Sequence, residues 1–274
     1  MTGLLSSWSK DLQSVPESFI FPPDQRPSSD LVSEFNNPFV DLNNCDQFET
    51  IHKILEAGKD LGFFQVINHG VSENVVHETR EVVKEFFAMP CEVQRRSFKV
   101  DATKRCRLYT STFNYDKEEI HLWRDNLTHP YHPFHDSLHL YPQLPIRYRE
   151  VVRNYCGQVK KLTTRILELI GLGLGLEEGY FEKERRSDVH LFSVNHYPLC
   201  PQPSLTLGMH KHFDPNLITI LNQGDVDGLQ FYRDGQWIST EIMPNSFIVI
   251  IGCQMQMAIG ETTLVAEELA AVKI

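Results

Sequence analysis

The sequence predicts an α+β fold, a mostly helical first half feeding a block of short strands packed as a jelly roll or similar sandwich. Three observations predict it. Apolar residues recur at helical spacing up to about residue 170, and after Val189 the pattern changes to short β-rich segments separated by turns. The length of 274 residues with 41% hydrophobic content suffices to bury a large core, in one domain or two closely packed ones.

Residues 1 to 37 are rich in Ser, Pro, Asp and Asn and read as an extended lead-in, with order expected to begin near Phe39-Val40-Asp41-Leu42. From Asp46 the residues Phe48, Ile51 and Leu55 mark a helix, which Gly62 stops before the buried-strand run Phe63-Phe64-Gln65-Val66-Ile67. The next helix opens with Ser72 as N-cap and carries Val75, Thr79, Val82 and Phe86 on one face until Pro90. Residues 91 to 143 mix charges, aromatics and five histidines without a sustained period, which predicts loops and short strands rather than a second core. A long helix follows over about Arg147 to Ile170, where Val152, Tyr155, Val159, Leu162, Ile166 and Ile170 advance by three or four, and the Gly171 to Gly175 run ends it.

Strands are expected at Leu191 to Tyr197, Leu217 to Leu221, Leu229 to Tyr232, Trp237 to Ile238 and Phe247 to Ile251, with Asp234-Gly235 as a hairpin turn. The net charge of -10 and pI near 5.6 give no positive field for a polyphosphate, so nucleic acid is disfavoured and a small-molecule partner fits better. Six scattered cysteines without a C-x-x-C pair predict free thiols in a reducing compartment. The first residues lack a basic, apolar leader and no stretch approaches the ~20 apolar residues of a membrane span, so the expected location is cytoplasmic.

Chemistry concentrates at His212-Phe213-Asp214. In an extended segment residues i and i+2 face the same side, so one imidazole and one carboxylate can meet a common ion, two thirds of the two-His-one-carboxylate triad that holds iron(II). On spacing alone a solvated turn remains the ordinary reading of such a pair. His210 extends the run toward a zinc-type trio, but alternate strand residues advance ~6.5 Å per step, so three in a row do not converge, and His210 is expected outside the ligand set. His129, His132 and His135 have no partner at ligand spacing and read as solvated loop residues.

The surrounding segments carry a resemblance. Residues 195 to 251 run N-H-Y-P-L-C-P-Q-P, L-G-M-H-K-H-F-D, L-I-T-I-L, D-G-L-Q-F, D-G-Q-W-I and P-N-S-F-I-V-I-I-G, preceded by G-F-F-Q-V-I-N-H-G at 62 to 70 and E-F-F-A-M-P at 85 to 90. In order and spacing, from about residue 38 to 252, this resembles the plant-type iron(II)/2-oxoglutarate-dependent dioxygenases. The opening S-W-S, the W-R-D-N-L-T-H segment at 123 to 129 and H-F-D-P-N-L-I-T-I-L are similar to hyoscyamine 6-beta-hydroxylase-like members.

The resemblance implies a jelly-roll (double-stranded β-helix) core and an oxidoreductase that couples conversion of 2-oxoglutarate to succinate, with O2, to oxidation of a small specialised metabolite. It implies His212 and Asp214 as Fe(II) ligands and Asn195 and Tyr197 as lining the 2-oxoglutarate site, with no catalytic residue beyond the metal centre. Pro198, Cys200 and Pro201 shape the turn that follows. The implied organisation is an N-terminal, mostly helical region at 38 to 188, a partial jelly roll at 189 to 252 and an atypical tail at 253 to 274.

That tail departs from the family, which continues with a histidine completing the triad and an R-x-S whose arginine pairs with 2-oxoglutarate. No histidine follows His212 here and no arginine follows Arg233. The Glu- and Ala-rich residues from Glu261 favour helix where the family has strands, and an ungapped alignment sets Glu268 at the missing histidine. The expectation is a jelly roll incomplete at its C-terminal end, from a truncated or replaced product. The competing reading is a catalytically inactive fragment acting as a binding protein or without function.

Overall fold

The computed structural model describes residues 3–26, 37–101, 103, 105–132, 137–183, 190–224, 228–233, 236–239, 241, 243–259 and 268–270. Its central element is the apolar run at 63, which forms strand β2 (Phe63–Ile67). This strand pairs in parallel with β1 (Phe39–Asp41) and antiparallel with β9 (Phe247–Ile251), which pairs antiparallel with β6 (Ile218–Leu221). Alternation then divides the core. Phe64, Val66, Phe247, Val249 and Ile251 face the helices, while Phe63, Ile248 and Ile250 face a second sheet through Phe231, whose ring stacks on Phe63 at 3.6 Å.

The second sheet joins β7 (Gln230–Arg233) to β8 (Gln236–Ser239) and, on its other edge, to β10 (Glu268–Ala270), all antiparallel. The strand β10 lies where helix was expected. Pairing with β7 overrides the local helical propensity, since an open edge offers hydrogen bonds that an isolated short helix does not. Glu268 opens β10 opposite Tyr232, and its side chain is outside the described part. Residues 234 and 235, read as the hairpin turn, lie outside the described residues, although Arg233 and Gln236 pair across it.

Helix α2 (Gln47–Asp60) is capped by Asp46, whose side chain accepts from the Glu49 amide. Its buried face is Thr50, Ile54, Ala57 and Gly58, and Phe48, expected inside, is exposed. Helix α3 (Glu73–Ala88) buries Val75, Thr79, Val82 and Phe86 as expected. Ser72 stands at its N-cap without capping through its side chain, and its amide donates instead to Gln158. After the short α4 (Cys91–Ser97) comes the long α5 (Tyr148–Gly173), which packs on α2 so closely that a Cβ at Gly173 would meet Ile51 Cγ2 at 2.5 Å.

A third sheet orders β3 (Arg107–Thr110), β4 (Asp125–His132) and β5 (His190–His196). It corrects the expectation that residues 91 to 143 form no core of their own. Phe98, Cys106, Leu127, Tyr131 and Tyr141 join Leu4, Phe86, Tyr148 and Val152 in a second buried cluster, whose members within 91 to 143 are scattered over several short elements, so no sustained period announces it. His129 is likewise no solvated loop residue. It is fully buried in β4, its Nδ1 donating to the Pro130 carbonyl and its Nε2 accepting from the Tyr148 hydroxyl. The side chain of His132 and the whole of His135 lie outside the description.

The first residues also differ from an extended lead-in. Turns at Leu5–Trp8 (α1), Ser9–Asp11, Glu17–Phe19 and Pro23–Gln25 bury Leu4, Leu5, Val15, Phe19 and Phe21. They are pinned through buried Asp125, whose carboxylate accepts from the amides of Leu5 and Ser6, both at 2.8 Å, and from Thr110. All six cysteines are free. No helix among the described residues is long and apolar enough to cross a membrane.

Candidate metal and cofactor site

The site forms where β4 and β5 run side by side and the loop 206–217 returns across them. Because both strands alternate, one face of the pair presents Arg124, Asn126 and Thr128 against Ser193, Asn195 and Tyr197. Asn126 Nδ2 donates to Asn195 Oδ1 at 2.9 Å and to Ser193 Oγ at 3.1 Å, and Thr128 Oγ1 bonds Ser193 Oγ at 2.9 Å. Asn195 is thereby held with its amide oxygen committed. Tyr197 is partly buried, and burial pushes its phenol up to about 12 against the opposing pull of Arg124.

His212 and Asp214 project together: Nε2 of the imidazole lies 3.5 Å from Oδ1 of the carboxylate. Each is oriented by its other polar atom. His212 Nδ1 is 2.8 Å from the His210 carbonyl, which can only accept, so the proton sits on Nδ1 and Nε2 keeps its lone pair when the ring is neutral. Asp214 Oδ2 accepts from Thr219 Oγ1, which in turn accepts from Asn216 Nδ2. Burial works against protonation of His212, but the Asp214 carboxylate and the His210 carbonyl outweigh it and hold its pKa above the ordinary histidine value.

His210 contributes its carbonyl rather than its ring, which meets Phe21 edge-on at 5.5 Å. Phe213 points outward and is exposed. The loop is fixed from beneath by Gly252 and Cys253, whose amides donate to the carbonyls of Leu217 (2.9 Å) and Asp214 (2.8 Å).

Two donors each ~2.1 Å from one ion stand about 3 to 4 Å apart, so His212 Nε2 and Asp214 Oδ1 fit a shared divalent metal without rearrangement. A ring nitrogen left bare by a backbone acceptor, and a carboxylate oriented by a hydroxyl, are the outer partners that metal ligands use. Among the described residues no set of three His, Cys, Asp or Glu side chains gathers around one point. The sequence reading missed Arg124, Asn126 and Thr219. Alternation along β4 could have indicated Asn126, whereas the Thr219 contact depends on loop geometry.

Comparison with known proteins is decisive. The chain is 39% identical over 272 residues to hyoscyamine 6-dioxygenase of Hyoscyamus niger, covering 95% of this chain and 78% of that one. It belongs to the 2OG-Fe(II) oxygenase superfamily. The model of that superfamily matches residues 189–261, and a model described as the N-terminal part of non-haem dioxygenases in morphine synthesis matches 38–146. Flavanone 3-dioxygenase 2 of Oryza sativa subsp. japonica is 38% identical over 244 residues, 88% of this chain and 71% of that one.

Among solved structures, JOX2 in complex with 2OG, Fe and JA superposes with a TM-score of 0.83 at 32% identity, covering 98% of this chain and 78% of that one. The Arabidopsis thaliana dioxygenase for auxin oxidation 1, in complex with 2-oxoglutarate, shares the fold at a TM-score of 0.73 and 24% identity, over 87% of both chains. As a superfamily member the chain is an oxidoreductase of the iron(II)- and 2-oxoglutarate-dependent type, with O2 as the usual co-substrate and a jelly-roll core.

Proposed function

We propose that His212 and Asp214 are the iron(II) ligands that this chain supplies and that Asn195 and Tyr197 line the place of 2-oxoglutarate. The observation that carries this is the paired approach of Nε2 and Oδ1 at 3.5 Å, each group oriented by a separate partner behind it. When bound, the metal with 2-oxoglutarate supplies the oxidising power for attack on a C–H bond. The chain's own residues hold and orient: His210 and Thr219 fix the two ligands, and Asn126 fixes Asn195. The relatives named for hyoscyamine and flavanone support a small specialised metabolite as the substrate. The net negative charge supports such a molecule over nucleic acid.

The test is equilibrium binding of iron(II) under anaerobic conditions. His212→Ala and Asp214→Ala are expected to abolish it, while His210→Ala, which keeps the carbonyl, leaves it within a few-fold of the native chain. Equal loss in all three variants would refute the assignment.

A further inference from the structure

Arg124 is a buried cation without an anion. Its residue is only 7% exposed, yet every partner it has is neutral. Nε donates to the Ser111 carbonyl at 2.9 Å, Nη1 donates to Asn195 Oδ1 at 3.1 Å and meets Met209 Sδ at 2.9 Å, and the side chain also bonds Tyr197. Among the described residues no carboxylate reaches it within ion-pair distance. Two acidic groups close in sequence are committed elsewhere: Asp125 to the amides of Leu5 and Ser6 and to Thr110, and Glu118 to Ser111, Thr112 and His121.

Arginine has no accessible neutral form, so burial cannot be relieved by losing a proton as it is for lysine. A buried, unpaired charge is among the costliest features a fold can carry, and such groups concentrate where a ligand completes them. The thioether of Met209 is a weak acceptor for a charged donor, so one N–H direction is spent on a poor partner. The location is also specific. Nη1 of Arg124 reaches both Asn195 on β5 and Met209, three residues before His212 in the loop that carries the His212–Asp214 pair. Its backbone is held on both sides, by the Trp123 amide donating to the Leu207 carbonyl at 2.8 Å and by the clamped Asp125.

We infer that Arg124 is a carboxylate-binding residue of this site, donating to an anionic group of a ligand that lies against Asn195 and Tyr197. The inference rests on the reading of those two residues given above. Two sources share this chemistry, 2-oxoglutarate itself and an organic co-substrate that bears a carboxylate.

The test measures binding calorimetrically and by thermal shift, anaerobically and with iron(II), for the native chain, Arg124→Gln, Arg124→Met and Arg124→Lys. The probes are 2-oxoglutarate, benzoate and the uncharged dimethyl ester of 2-oxoglutarate. At least one carboxylate is expected to lose tenfold or more in affinity in the Gln and Met variants, the scale of a charge-assisted pair, with an intermediate loss in Lys and no change for the ester. Loss for 2-oxoglutarate identifies that source, and loss for benzoate alone identifies the co-substrate. Benzoate binding that depends on Arg124, without any binding of 2-oxoglutarate, leaves this inference standing and removes the cofactor reading. Carboxylate affinities within twofold of native in a folded Gln or Met variant overturn the inference, as does absence of carboxylate binding to the native chain. Should both neutral variants fail to fold, unchanged affinity in Arg124→Lys, which cannot make the planar fork, overturns it as well.

Discussion

A methyl group added at Gly252 would lie 2.0 Å from the carbonyl oxygen of Asn216 and 3.0 Å from that of Asp214. Both neighbours are backbone, so neither can rotate away. The glycine is therefore what lets the end of β9 lie directly under the loop that carries the proposed metal ligands. Gly252→Ala is expected to displace residues 214–217, lowering stability by about 2 kcal/mol or more and weakening iron(II) binding together with it. Chemical denaturation and an anaerobic metal titration of the same variant check both halves, and an unperturbed Tm would contradict the contact.

Thr219 touches Asp214 but sits outside the ligand pair. Thr219→Val keeps the shape and removes the hydroxyl, freeing Oδ2 to rotate. Loss of such an outer partner commonly lowers metal affinity ~10 to 100-fold, so that range is expected for iron(II), with the Tm close to native. Affinity unchanged within twofold would show that Thr219 has no orienting role.

The pH dependence of stability has an identifiable contributor in His129. Burial holds its folded pKa down at about 4, against 6.5 for the ordinary side chain. Between these values the unfolded chain takes up a proton that the folded chain refuses, so the stabilisation is fully present above pH ~6.5 and is lost as pH falls toward 4. The span corresponds to roughly 3 kcal/mol. Comparing urea denaturation of native and His129→Asn chains across that window isolates the contribution, and parallel curves would disprove it.

Gln65 makes a similar point in the β-sandwich. Fully buried in β2, it donates through Nε2 to the Glu241 carbonyl at 2.9 Å and accepts at Oε1 from the Met243 amide (3.3 Å) and Ser246 Oγ (3.1 Å). Gln65→Leu takes the side-chain partner from the Glu241 carbonyl and the Met243 amide, while Ser246 Oγ keeps the Met243 carbonyl, and is expected to destabilise by about 1 to 3 kcal/mol. A thermal melt reads this directly, and a rise in Tm would mean that the loop finds other partners.

Turnover of this chain is expected to be negligible, because among the described residues no third His, Cys, Asp or Glu side chain joins the proposed pair His212 and Asp214. A missing ligand should lower iron(II) affinity by more than the ~10 to 100-fold of a lost outer partner. Appending a family-type tail with the triad histidine and the R-x-S arginine should restore succinate formation from 2-oxoglutarate. Stoichiometric succinate from the chain as it stands, abolished by His212→Ala, would show that another group completes the site.

What was legible in the sequence followed from period and spacing. The apolar run at Phe63, the faces of α3 and α5 and the His212–Asp214 pair are local patterns, and each lies where periodicity places it. The second core was not legible, because Phe98, Cys106, Leu127 and Tyr141 come from separate elements and no window contains two turns of one pattern. Burial of His129 and the packing of the first residues were hidden for a related reason: both depend on partners far away in the chain, Tyr148 for the one and Asp125 for the other. β10 shows the opposite failure, where a clear local preference was overruled by an available edge.

The place of β2 between β1 and β9 also sets a timetable for synthesis. Phe63 pairs with Ile250, so the second neighbour of the central strand is made roughly 180 residues after the strand itself. At the ~5–20 residues per second of a ribosome, the emerging chain waits about 10 to 40 s with an apolar strand edge open. Throughout that interval β2 is available to any other extended apolar segment nearby, including the same segment on a neighbouring chain. Soluble yield during expression should thus respond to elongation rate and chaperone supply more sharply than the stability of the finished fold would suggest.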